Sequence, residues 1–285
     1  MKNAQAPSVD NAGRRELLRN AMAEGADREA LRFSVFCADR FMTHLPLAPG
    51  DKFLDIFTGT GALALAASQA VGPAGRVTAI DTAESLLARL GTKISKFGIA
   101  NIDVHAMNAA HLDFRRDYFQ HTACSLGLCW LPDPRAALRE WVRVTCPGGS
   151  VNLAVFAPQA FQPQLGLLRQ RMAQVSGCLD VPVPWEQVSR RDALSVFLQD
   201  AGLVDVSVQE ERIGYHLRDA QEWWEVIWHS ALRLLVEQVP AAQRDRFRTE
   251  HLAEMASLAT TDGLWLDVSV LLARGHKPTR AVTTN

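Results

Sequence analysis

The stretch Lys52-Phe-Leu-Asp-Ile-Phe-Thr-Gly-Thr-Gly-Ala-Leu-Ala-Leu-Ala-Ala-Ser68 decides how this chain is read. Phe53, Leu54 and Ile56 make an apolar strand. Gly59 and Gly61 make a turn, and Ala62 begins a helix of small residues. Glycine lets the backbone approach a ligand closely or take a positive φ without strain. The N–H groups that open the helix then face whatever lies over the turn. The turn is therefore of a nucleotide-binding type. Gly59-x-Gly61-x-x-Ala64, with Asp81 about 20 residues on, also matches a dinucleotide fingerprint, but that match is weak by itself. Asp55, inside the strand end, suits a cationic ligand group better than a pyrophosphate.

Outward from this stretch, strands and helices alternate. Residues 76–80 form a second strand closed by Asp81. Thr82 is placed to cap a helix that runs to about Phe97, with Gly98 just beyond it. Residues 101–106, 122–127 and 150–156 read as further strands. Asp133-Pro134 is an N-cap and first-turn pair for a helix to about Val144. The pattern predicts an α/β fold: an open, mostly parallel, seven-stranded Rossmann-like sheet with helices on both faces and a helical lid. Before the stretch, residues 27–45 carry a helical apolar stripe. After it come a helix over 162–175, a helix over 192–201, a strand over 204–208, one long amphipathic helix over 218–239, a helix over 241–258 and an apolar final strand over 265–273. The predicted organisation is a helical lid segment over 1–46 and a catalytic domain over 47–276. Helical cap insertions fall at about 159–190 and 218–259, and a disordered tail occupies 277–285.

Composition narrows the function. The chain has 285 residues, 48% of them apolar, and a formal net charge of −1. Such a balance gives no global pull towards nucleic acid or an anionic membrane. No apolar run approaches the roughly 20 residues of a membrane span. Five scattered cysteines without a Cys-x-x-Cys pair argue against a disulfide framework or a metal site, so a cytoplasmic location is expected and no metal. The expected partner is a small molecule, and the sequence leaves room for a homodimer.

Four motifs in order resemble the class I S-adenosylmethionine-dependent methyltransferases, in particular the small-molecule branch of the ubiquinone and menaquinone methyltransferases. Leu54 to Gly61 looks like the family's first motif. Asp81-Thr-Ala-Glu-Ser-Leu-Leu87 looks like the acidic end of its second strand. Asn108-Ala109-Ala110 stands where the family has Asp-Ala. Gly127-Leu-Cys-Trp-Leu-Pro-Asp-Pro134 and Pro147-Gly-Gly149 match the passage from fourth to fifth strand.

The resemblance implies S-adenosyl-L-methionine as cofactor and methyl transfer by in-line displacement to a small, aromatic or lipophilic acceptor, through oxygen, nitrogen or carbon. It implies a cofactor site of Asp55, Thr58, Gly59, Gly61, Asp81, Thr82, Leu86, Asn108, Ala109 and Leu126. Asp55 would meet the ammonium side and Asp81 both ribose hydroxyls. Leu86 would pack on adenine, and the Asn108 side-chain oxygen would accept from the adenine amino group. Phe57 departs from the family's small residue there, so its ring must turn away or reshape the pocket. Candidates for the acceptor side are His44, Cys129, Trp130, Phe156 and Trp223. His229 falls on the polar side of the long helix and reads as solvated, and no catalytic base is assigned. Two rival readings stand beside this one. One is a nicotinamide-dependent oxidoreductase, although neither Tyr118 nor Tyr215 has a Lys four residues on. The other is a catalytically silent adenosylmethionine-binding protein.

Overall fold

A computed structural model of the chain describes residues 11–176, 183 and 185–279. The helices are α1 (Asn11–Met22), α2 (Phe33–His44), α3 (Ala62–Val71), α4 (Glu84–Phe97), α5 (Pro134–Val144), α6 (Gln164–Ser176), α7 (Arg191–Gln199), α8 (Ala220–Trp228), α9 (Arg233–Val236) and α10 (Arg244–Leu258). The strands are β1 (Lys52–Ile56), β2 (Arg76–Asp81), β3 (Ile102–Ala106), β4 (Phe119–Ser125), β5 (Thr145–Phe156), β6 (Val204–Glu211), β7 (Gly214–Leu217), β8 (Leu264–Asp267) and β9 (Val270–His276).

Seven strands form one sheet in the order β3-β2-β1-β4-β5-β9-β6. The pairs from β3 to β5 are parallel, and β9 runs antiparallel to both its neighbours. The open, mostly parallel seven-stranded sheet is as expected. The central strand shows why it forms. Phe53 is fully buried on one face with α2 and α3, while Leu54 and Ile56 are fully buried on the other with α5 and α7. Each such side chain contributes roughly 1.5–3 kcal/mol by leaving water. The chain order reverses between β1 and β4, which opens a crevice over the carboxyl ends of the strands.

Several boundaries differ from the sequence reading. The apolar run at 265–273 is two strands, because Val268 and Ser269 separate β8, which pairs with β7, from β9 in the main sheet. The helix expected over 218–239 is broken: α8 ends at Trp228, and α9 begins at Arg233 after a turn in which the Ser230 hydroxyl accepts from the Leu232 amide at 3.2 Å. Thr82 caps nothing; the Asp81 carboxylate itself accepts from the Ala83 amide at 3.0 Å. Asp133 does cap α5, accepting from Ala136 at 3.0 Å with Pro134 in the first turn. Lys277, placed in the expected tail, is tied down by the Asp117 carboxylate at 2.6 Å and by three backbone carbonyls. Residues 280–285 lie outside the described residues, as do 1–10 of the lid segment and, in the 159–190 insertion, 177–182 and 184.

The N-terminal segment is fastened over the crevice. Tyr215 of β7 donates to the Ala30 carbonyl at 2.8 Å, and Arg32 donates to the His216 carbonyl at 2.7 Å. Asp27 accepts from Thr60 in the glycine turn and from Lys93 of α4. Among the described residues, no helix is long and apolar enough to cross a membrane.

Candidate functional site

The glycine turn opens α3 as the spacing requires. Gly59 has φ 56°, and a Cβ built there would meet nothing within 4 Å, so its bare face looks into open space. Gly61 has φ 87°, and a Cβ there would come within 2.3 Å of Leu90 on α4. The two glycines thus do different work: Gly59 lines the crevice, whereas Gly61 lets α3 and α4 close together and lines neither cavity.

Two cavities lie over the strand ends. The first, about 1000 Å³ counted out to its mouth, is lined by Asp55, Thr58, Gly59, Leu86 and Leu126 of the expected cofactor set. The second, about 590 Å³ on the same measure, carries Asp81, Thr82, Asn108 and Ala109. Leu86, expected against adenine, therefore faces the Asp55 cavity and not the Asn108 one. Asn108 also differs: its side-chain oxygen accepts from its own Ala110 amide at 2.9 Å, closing an Asx turn. Ala109 is fixed from behind by the Trp141 indole, which donates to its carbonyl at 2.8 Å.

Phe57, Arg19 and Trp130 line both cavities and divide them. Phe57 has φ 59°, a left-handed conformation that costs a bulky residue about 1 kcal/mol. Gly127 makes room for it, since a Cβ on Gly127 would fall 2.4 Å from the Phe57 Cβ. Leu126, beside Gly127, is also left-handed at φ 58°. Strain of this kind gathers where surrounding structure enforces a working geometry.

The two carboxylates are both buried, Asp55 at 1% and Asp81 at 2% exposure. Asp55 accepts from the Thr58 hydroxyl at 2.7 Å. Burial pushes its carboxyl up to about 7; the Thr58 hydroxyl and Ala64 amide oppose this, and the charge of Asp81 adds to it. Asp81 accepts from the Gly59 amide at 3.0 Å and from the guanidinium of Arg19 on α1. That guanidinium lies 4.8 Å from the Phe57 ring centre and 5.3 Å from that of Trp130, both cation–π distances. Arg19 was missed in the sequence, because nothing in its polar surroundings marks it for a buried site 62 residues away.

The acceptor-side candidates divide. Cys129, Trp130 and Phe156 line the first cavity. His44 does not; its Nε2 lies 3.0 Å from a Glu211 carboxylate oxygen, away from the crevice. Trp223 is fully buried core, its indole donating to His251 at 2.9 Å. Sequence reasoning also missed His229, Ser230 and Ala231. The break after α8 turns all three into the first cavity, where an unbroken helix would have left His229 in solvent.

These residues fit adenosylmethionine. Among the described residues Asp55 is a buried carboxylate without a cationic partner, Gly59 is bare towards the cavity, and Asp81 already holds a hydrogen-bond-donating group. Residues 36–170 match the model of the ubiE/COQ5 methyltransferase family. The demethylmenaquinone methyltransferase of Geobacillus kaustophilus is 29% identical over 187 residues, 61% of this chain and 79% of that protein. Two solved structures share the fold. One is the YcgJ protein of Bacillus subtilis (TM-score 0.59, 16% identity, 85% of this chain and 98% of that one). The other is a SAM-dependent methyltransferase from Aquifex aeolicus (TM-score 0.52, 20% identity, 70% and 92%). The motifs, the sheet order and these similarities agree on an S-adenosylmethionine-dependent methyltransferase.

Proposed function

We propose that this methyltransferase alkylates a small, lipophilic aromatic acceptor bearing a hydroxyl group, of the reduced demethylmenaquinone type. The observation that supports the acceptor class is the wall of the first cavity. Beyond Asp55 and the glycine turn it is built of Met22, Leu31, Phe33, Trp130 and Phe156, an apolar and aromatic lining. The similarity to demethylmenaquinone methyltransferases points the same way.

Each residue then has a task. Asp55 holds the ammonium of the cofactor, and its burial makes it a strong partner once ionised. Asp81 receives the ribose hydroxyls after Arg19 withdraws, a bidentate task suited to a carboxylate. Thr58 orients Asp55. Phe33, Trp130 and Phe156 hold the acceptor ring and keep water out. The bound cofactor supplies a methyl group on a positively charged sulfur, and the protein aligns acceptor, methyl and sulfur in line.

The test uses purified protein, adenosylmethionine labelled in its methyl group and a short-tailed demethylmenaquinol. Label in the quinol, together with a melting temperature raised by adenosylhomocysteine and not by NADH, supports the reading. Transfer of label to hydrophilic amines but never to the quinol sinks the acceptor class.

A further inference from the structure

Phe57 and Trp130 border both cavities, and a cation already rests on them. The Arg19 guanidinium carbon lies 4.8 Å from the centre of the Phe57 ring and 5.3 Å from that of Trp130. The Arg19 side chain is 9% exposed, and its Nε is buried without a hydrogen-bond partner among the described residues. An unfilled buried donor costs free energy. The ring faces and the Asp81 carboxylate thus favour positive charge at this place, although a guanidinium does not fit it completely. The other rings of the first cavity are used differently: Phe33 and Phe156 pack edge to face with each other and with Phe161.

Phe57 holds its ring there at a φ of 59°, in a region that glycine enters freely and a bulky residue does not. Gly127 leaves the space, since a Cβ on it would fall 2.6 Å from the Phe57 Cγ. The covalent structure of adenosylmethionine fixes which of its atoms crosses this wall. Its amino-acid part belongs with Asp55 in the first cavity, and its ribose with Asp81 in the second. The sulfur joins those two parts and carries the positive charge. It has no N–H or O–H to donate to a carboxylate, whereas an aromatic face attracts it directly.

We propose, on the roles given above to Asp55 and Asp81, that the ring faces of Phe57 and Trp130 seat the sulfonium of adenosylmethionine in the place that the Arg19 guanidinium now fills. When Arg19 gives up Asp81 to the ribose, it gives up both rings to the sulfur. Trp130 also borders the acceptor site proposed above, so it lies beside both reactants. Methyl transfer turns the sulfonium into a neutral thioether. The same ring faces therefore hold the product less firmly than the cofactor and favour its departure.

Calorimetry of the purified protein with adenosylmethionine and with adenosylhomocysteine tests the seat, because the two ligands differ by one methyl group and the charge on sulfur. The readout is the ratio of the two dissociation constants. A change in the Arg19–Asp81 contact alters both alike and cancels in that ratio. Phe57→Leu keeps an apolar side chain against the methyl group and removes the ring. Trp130→Leu makes the same change at the second ring and stands as an independent test should Phe57→Leu not fold. Each should weaken adenosylmethionine binding about tenfold and change adenosylhomocysteine binding by less than about twofold. Trp130→Phe, which keeps a ring, should lose less than Trp130→Leu. Equal losses for the two ligands would mean that the rings only shape the pocket, and unchanged affinities that they do not meet the sulfur; either result overturns the proposal. If Asp55→Asn and Asp81→Ala bind both ligands as wild type does, the cofactor does not lie between the two carboxylates. The roles given to them then fail, and the sulfonium seat fails with them.

Discussion

The two ends of the crevice use the same residue in opposite ways. Asp55 and Asp81 end neighbouring parallel strands, and both are almost completely buried. Asp55 has only neutral donors, so its carboxyl rises to about 7. Asp81 has a cation, because Arg19 of the N-terminal helix reaches into the crevice and pairs with it. One carboxylate waits for its charge partner, whereas the other is already satisfied by the protein. On the proposed reading of the site, ligand binding at the first end is a matter of ionisation, and at the second a matter of exchange.

The largest expected effect is at the exchanged end. Asp81→Ala removes the proposed ribose partner and should weaken adenosylhomocysteine binding about 100-fold by calorimetry, since charge-assisted hydrogen bonds contribute roughly 1.5–3 kcal/mol each. Unchanged affinity would remove Asp81 from that role and break the comparison.

Next comes the wall between the ends. Gly127→Ala drives a methyl group against the Phe57 Cβ and should cost about 2 kcal/mol of stability in denaturant unfolding. The same change in a Phe57→Gly background should cost much less. Equal costs in the two backgrounds would show that Phe57 is not what Gly127 accommodates.

At the waiting end the effect is smaller and depends on pH. The folded Asp55 carboxyl titrates near 7, well above the unfolded value of about 3.9. Between those values the native state holds a proton that the unfolded state has lost. Stability contributed by this group therefore falls as pH rises from about 4 to 7. Asp55→Asn should abolish that slope and stabilise the ligand-free protein at pH 8. Affinity for adenosylhomocysteine runs the other way, rising in wild type as pH passes 7 and Asp55 ionises. In Asp55→Asn it should be about tenfold weaker and flat with pH. A wild-type affinity that is equally flat would contradict a proton held at Asp55.

The smallest effect sharpens the contrast. Arg19→Ala frees Asp81 and should tighten adenosylhomocysteine binding, by about tenfold or less. Looser binding would mean that Arg19 helps to hold the cofactor and does not compete with it.

Legibility followed locality. The alternation of Phe53 with Leu54 and Ile56, the Gly59-x-Gly61 spacing and the Asp133-Pro134 cap all act within a few residues, so their pattern could be read directly. Leu86 faces the Asp55 cavity because α4 is turned by packing, which a lone leucine does not announce. Asn108 spends its oxygen on its own turn, as Asn commonly does. Trp223 and His44 look like site residues by type alone, and their partners His251 and Glu211 come from distant segments.

The sequence alone determined the strand, turn and helix at 52–71, the run of parallel strands and the two carboxylates at their ends. Those follow from side-chain period and backbone stereochemistry, which need no distant partner. Only the tertiary structure decided that Arg19 meets Asp81, that Phe57 divides the crevice against Gly127, and that the break after Trp228 turns His229 inward. Each of these depends on segments far apart in the chain, brought together by burial whose direction no local pattern records.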